Sequence, residues 1–138
     1  MAVRFDMVGI FVNDIHKMVD FYQNVLGFKI NYDGIGPYAE FEHTGIRVSM
    51  YERRLLPALL GQTPGYPNGI KGTFELAIDL PYFEDVDPEY ARLINGGAGP
   101  VYAPRLEPCG MRSSMISDPE GNLIEIGSWN KGPAKDES

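Results

Sequence analysis

The chain is 138 residues long, 43% hydrophobic and 22% charged, with a formal net charge of −7, enough length and apolar content for one domain with a sizeable core. That acidic balance argues against nucleic acid or an anionic membrane as a partner, since both need clustered Lys and Arg. Cys109 is the only cysteine, which excludes a disulfide framework and a cysteine-based zinc site; with no long apolar segment and no basic region leading into an apolar run, the predicted location is cytoplasmic.

Alternation predicts a first strand over 3–12, with Val8, Ile10 and Val12 on one face and Phe5, Met7, Gly9 and Phe11 on the other. Asn13 or Asp14 then caps a helix. Ile15, Met18, Val19, Tyr22, Val25 and Leu26 recur at helical spacing, and Gly27 supplies the stop. Three short strands are predicted near 28–32, 38–42 and 46–51, separated by Asp33-Gly34-Ile35-Gly36-Pro37 and by Thr44-Gly45. The stretch 53–72 holds Leu55, Leu56, Leu59 and Leu60 among prolines and glycines, and reads as a linker with a helical turn. It either packs on the module surface or serves as a lid or subunit contact.

The same order then recurs. Phe74, Leu76, Ile78 and Leu80 alternate against Glu75, Ala77 and Asp79, a helix is predicted over 83–94, and Gly96-Gly97 ends it. Strands near 100–103, 111–116 and 122–127 follow. The turn Asp118-Pro119-Glu120-Gly121 feeds the last of them, where Ile124 and Ile126 point one way and Leu123, Glu125 and Gly127 the other. Each half therefore reads as strand, helix and three strands, an α+β arrangement repeated by element order. Module one spans about 1–52, the linker 53–72 and module two 73–129, while the polar tail 130–138 is predicted to fray.

Three stretches carry a resemblance to a known family. They are Asn13-Asp14-Ile15 with Asp20-Phe21-Tyr22-Gln23-Asn24-Val25-Leu26-Gly27-Phe28, then Pro108-Cys109-Gly110-Met111-Arg112, then Asp118 to Glu125. In order and spacing they resemble the vicinal oxygen chelate superfamily, which includes glyoxalase I, extradiol dioxygenases, and fosfomycin and bleomycin resistance proteins. The resemblance implies two βαβββ modules whose strands curl into a partial barrel around a ligand cleft, helices outside, commonly as a homodimer. It also implies a divalent metal held from the first and fourth strands of each module, at positions that here are Met7, Ser49, Glu75 and Glu125.

Those residue types make a poor metal site. A thioether and a neutral hydroxyl bind hard or borderline divalent ions weakly, so Glu75 and Glu125 alone would hold magnesium or manganese loosely and would not make a firm iron or zinc centre. No cofactor is expected, beyond a weakly bound divalent metal. His16 falls in the first turn of the predicted helix, off its apolar stripe, and His43 in a hairpin turn. Cys109 lacks an adjacent histidine to activate it and reads as a small packed residue.

Strand parity suggests what lines the cleft. If Ser49 faces inward, so do Arg47 and Tyr51, while Met7 and Phe11 add an apolar wall with Phe5. Arg112 stands where similar family members put a ligand-facing arginine. Either Arg47 or Arg112 pairs with Glu75 or Glu125 in place of a metal, or one of them forks onto a ligand carboxylate or phosphate.

Three functions are open. The chain is a binding protein that holds a small molecule in a cleft, the reading favoured by the lost metal donors. Alternatively it is a glyoxalase-like lyase or isomerase, or a dioxygenase, with a non-standard metal site at Glu75 and Glu125 or with Glu125 as a metal-free base. The third function is a ligand-free partner module, against which the charged residues Arg47 and Arg112 argue.

Overall fold

Strand β1 (Met7–Val12) is a run of six uncharged residues, five of them apolar and three β-branched, that pairs in parallel with β4 (Arg47–Glu52) along its whole length. The structure, a computed structural model, describes residues 2–43 and 45–132. Thr44 of the predicted turn and the last six residues of the predicted tail lie outside the described residues. After β1, the Asp14 carboxylate accepts the Lys17 N–H at 3.1 Å and caps α1 (Ile15–Asp20), which runs on into a wider π-helical turn over Phe21–Val25. Gly27, at φ 93°, takes the left-handed conformation that ends the helix. Then come β2 (Ile30–Asn31) and β3 (Tyr38–Phe41), so the first sheet has the order β1-β4-β3-β2.

A 3₁₀ turn over Arg53–Leu55 leads into α2 (Leu56–Leu60). The second sheet is built the same way from β5 (Lys71–Asp79), α3 (Phe83–Asn95), β6 (Gly99–Leu106), β7 (Arg112–Ser117) and β8 (Asn122–Ser128), in the order β5-β8-β7-β6. The fold is α+β, with two βαβββ modules, as predicted. The chain divides into two compact units, Met1–Pro67 and Asn68–Ser138.

In the first unit Val12, Met18, Ala39, Phe41 and Met50 form a core between α1 and the sheet. In the second, Val86 and Leu93 of α3 close over Ile116, Ile124 and Ile126. The predicted core residues on β1 and β5 are less covered: Val8 is 39% exposed, and Ile10, Leu76 and Ile78 are half-buried. The helices explain this, because α1 packs on β3 and β4, and α3 on β6, β7 and β8. Phe74, 84% exposed, lies beside an irregular step in the β5–β8 pairing.

Candidate functional site

On the first sheet, the face away from α1 is ordered into rows by strand register. Met7 stands beside Arg47; Gly9 beside Ser49 and Glu40; Phe11 beside Tyr51 and Tyr38. The predicted inward set Met7, Phe11, Arg47, Ser49 and Tyr51 therefore shares one face. Arg47 is not a free fork, however. Its Nε donates to Glu40 at 2.5 Å and its Nη1 to Asp6 at 2.9 Å, so its partners are neither Glu75 nor Glu125. The Arg47 hydrogen bond holds the Glu40 carboxyl below the usual range. Tyr38 adds a hydrogen bond to the same carboxylate at 3.3 Å. Ser49 is 2% exposed, and no described residue hydrogen-bonds its hydroxyl, which is not sealed from solvent. Phe11 is half exposed and meets Tyr51 edge to face, with centroids 6.5 Å apart.

On the second sheet the corresponding face carries the carboxylates. Glu125 pairs in register with Ala77 and Met115, and Glu75 with Leu123, which places both glutamates on one face two positions apart. The turn before β8 fixes this register: Asp118 Oδ1 accepts the Glu120 and Asn122 N–H groups at 2.9 and 3.0 Å, and Asn122 Nδ2 donates to Oδ2 at 2.8 Å. Gly121, at φ 86°, completes it, with the Gly69 carbonyl so close that no side chain fits there. A third carboxylate, Glu107, accepts from Arg105 Nε at 2.5 Å and from Ser113 Oγ at 3.0 Å, and Ser113 lies 3.1 Å from the Tyr102 hydroxyl. These bonds lower the Glu107 carboxyl, Arg105 first. Burial raises the Glu125 carboxyl, and the charges of Glu75 and Glu107 add to the effect.

Arg112 is the residue that moves farthest from its expected place. It stands opposite Ser128, an odd number of positions from Met115, so it leaves the sheet on the face opposite Glu125. There its Nε and Nη2 donate to the two oxygens of Asp87 on α3, at 2.7 and 2.8 Å. This forked pair lowers the Asp87 carboxyl, and Arg112 joins strand to helix. The pairing with Glu75 or Glu125 is not made. His16 is exposed beside Tyr32, and His43 Nδ1 lies 3.1 Å from the Gly45 carbonyl, within its turn. Cys109 is exposed, not packed.

Sequence reading put Gly9 on the face of Met7 and Phe11 without giving it a role, and missed Tyr38, Glu40, Tyr102, Glu107 and Ser113. The alternation of Ala39 and Phe41 against Tyr38 and Glu40 held the signal for two of them. Glu107 lies in the β6–β7 connection, where no periodicity applies.

As a test for the divalent metal implied by resemblance, the first sheet offers at those positions a thioether and a hydroxyl, and no three His, Cys, Asp or Glu side chains among the described residues are grouped to hold an ion. The donors do not fit a firmly held iron or zinc.

Two consecutive strand-helix-three-strand modules, each with its first strand parallel to its fourth, define a class of tandem βαβββ proteins. Residues 4–126 match the Glyoxalase/Bleomycin resistance protein/Dioxygenase superfamily, and the chain belongs to it. It is 27% identical over 122 residues to the uncharacterized protein YraH of Bacillus subtilis (strain 168), covering 86% of this chain and 93% of that protein. A glyoxalase/bleomycin resistance protein/dioxygenase family enzyme from Burkholderia phytofirmans PsJN aligns at TM-score 0.75 and 27% identity, over 89% of this chain and 96% of that one. A glyoxalase/bleomycin resistance protein/dioxygenase from Nocardioides aligns over 100% of this chain and 91% of its own, at TM-score 0.79 and 21% identity, and shares the fold.

Proposed function

We propose that the protein binds a small molecule on the faces its sheets turn away from the helices, without a firmly held catalytic metal. One observation carries this reading: Met7 and Ser49 stand on one face with Phe11 and Tyr51, a surface that offers apolar, aromatic and hydroxyl contacts where metal donors would be needed. Fold does not transfer chemistry, and a site of this composition suits holding a ligand better than activating one. A second reading is favoured by Glu125 alone. Its carboxyl is raised by desolvation, which suits a general base in a metal-free proton transfer. The protein would act as a homodimer.

Metal analysis of purified protein, with thermal melts in chelator, tests the first reading. It predicts iron, zinc, nickel and manganese well below one per chain and a Tm that chelator leaves unchanged. A tightly bound stoichiometric metal, stripped with loss of stability, overturns it in favour of an enzyme centred on Glu75 and Glu125.

A further inference from the structure

The three rows on the first sheet differ in height. Gly9 and Ser49 form the lowest, since Gly9 has no side chain and Ser49 is small and nearly buried. On one side rises the row Phe11, Tyr51 and Tyr38; on the other, Met7 and Arg47. The flanking rows are four residues apart along β1, roughly 13 Å between their axes at the strand rise, which leaves room for one planar ring over the low row. At β3 the trough is closed by Glu40, held from one wall by Tyr38 and from the other by Arg47. At the other end it runs to β1, the edge strand of this sheet.

The chemistry of the trough selects its occupant. Its charges are one Arg47 guanidinium held between the Glu40 and Asp6 carboxylates, so it has no free cation to hold an anion, and the surplus negative charge sits on the Asp6 side chain, which is 78% exposed to water. Its walls are aromatic rings and a thioether, which favour the faces and edges of another ring. In its floor is one hydroxyl, that of Ser49, which no described residue hydrogen-bonds and which a ligand oxygen can take over from water. A Cβ on Gly9 would sit 3.5 Å from Ser49 Oγ and 3.9 Å from Met7 Cε, so the space above Gly9 is bounded by both groups. We infer that this trough is the subsite for a neutral planar aromatic ring bearing one hydrogen-bonding oxygen, with the oxygen on Ser49 Oγ and Gly9 as the residue that admits the ring. The inference rests on the binding function proposed above and names its ligand class.

The Gly9→Ala protein folds by this geometry, because the added methyl meets its neighbours at ordinary contact distance and β1 has no left-handed residue at that position. That methyl nevertheless fills the floor. Amide NMR shifts of the full chain, titrated with phenol, fluorobenzene and cyclohexanol, test the proposal. Phenol is expected to give saturable shifts at Gly9, Ser49 and Tyr51, and to bind at least about threefold tighter than the probe lacking the hydroxyl or the one lacking the aromatic ring. Gly9→Ala should weaken phenol by about tenfold or more, and Ser49→Ala should bring phenol down to fluorobenzene while leaving fluorobenzene unchanged. Phenol shifts confined to the 68–132 unit overturn the trough and leave the binding function standing. No saturable shift on either sheet with these probes and a broad fragment set overturns both. Equal phenol affinity in Gly9→Ala and the unaltered protein overturns the assignment of Gly9.

Discussion

Arg112 and Asp87 join β7 to α3 through two parallel hydrogen bonds at a half-exposed position, with the Asp87 side chain 56% exposed. Pairs that solvent reaches contribute about 0.2–1 kcal/mol. Arg112→Met is therefore expected to lower stability by no more than about 1 kcal/mol and to leave small-molecule binding unchanged, as thermal melts and a titration of the variant would report; a loss of several kcal/mol would mean a buried partner. The misplacement of Arg112 has a physical source. In Arg112-Ser113-Ser114-Met115-Ile116-Ser117, polar and apolar residues do not alternate, so the run carries no parity from which to choose a face. Where a polar residue sits between apolar neighbours, as at Ser49 between Val48 and Met50 and Glu125 between Ile124 and Ile126, the face was legible. Partners across strands were not, because the Glu40–Arg47 contact depends on the antiparallel register of β3 with β4. Glu125 supports a prediction of its own. Its carboxyl is raised in the fold by burial first and by Glu75 and Glu107 next, so the folded state disfavours its ionised form. Its favourable contribution is complete below the ordinary glutamate value, about 4.3, and is lost as pH rises through the folded value. Glu107 and Glu40, both lowered, contribute above the ordinary value, and that contribution is lost as pH falls through their folded values. Glu125→Gln should accordingly raise Tm at pH 7, with the gain vanishing toward about pH 4; an unchanged Tm at both pH values would remove the desolvation argument.

At the scale of elements, each predicted strand and helix exists, and the differences lie at their ends. The first strand was predicted from residue 3 and begins at Met7, because β4 begins at Arg47 and offers residues 3–5 nothing to pair with; the last link is Arg47 N–H to the Asp6 carbonyl at 3.3 Å. The strand predicted over 100–103 extends over Gly99–Leu106 with two irregular steps. It tolerates Pro100 and Pro104 because it is a sheet edge, where a missing N–H costs little. Helix coverage decides what a core substitution costs. Ile126 is fully buried under α3 and Ile78 only half so. Ile126→Ala should cost about 2–5 kcal/mol by leaving a cavity, and Ile78→Ala roughly half as much in the isolated chain. Denaturant unfolding of the two variants measures the ratio, and equal losses would show that something covers β5 as fully as α3 covers β8.

For the molecule as a whole, the free edges matter most. β1 and β5 each end their sheet, and β1, Met7-Val8-Gly9-Ile10-Phe11-Val12, has no charged residue, proline or bulge along its six positions. Natural edge strands are protected by such features, and an unprotected apolar edge pairs with other chains. Val8 on its helix side and Phe11 on the other are both exposed, so the strand is incompletely covered on either face. The chain's net charge of −7 keeps copies apart except where apolar surface outweighs it. A two-fold axis answers this with a single contact, since it brings the same edge of a second copy against the first and closes the assembly at two. Light scattering is expected to return twice the chain mass at micromolar concentration. Val8→Lys, which sets like charges across such an axis, should shift the mass toward that of one chain on dilution, with a far-ultraviolet spectrum that stays unchanged because β1 still pairs with β4. A single-chain mass for the unaltered protein throughout a dilution series would show that β1 needs no second copy. A dimer indifferent to Val8→Lys would place the contact elsewhere, with the exposed Leu59 and Leu60 of α2 the next surface to alter.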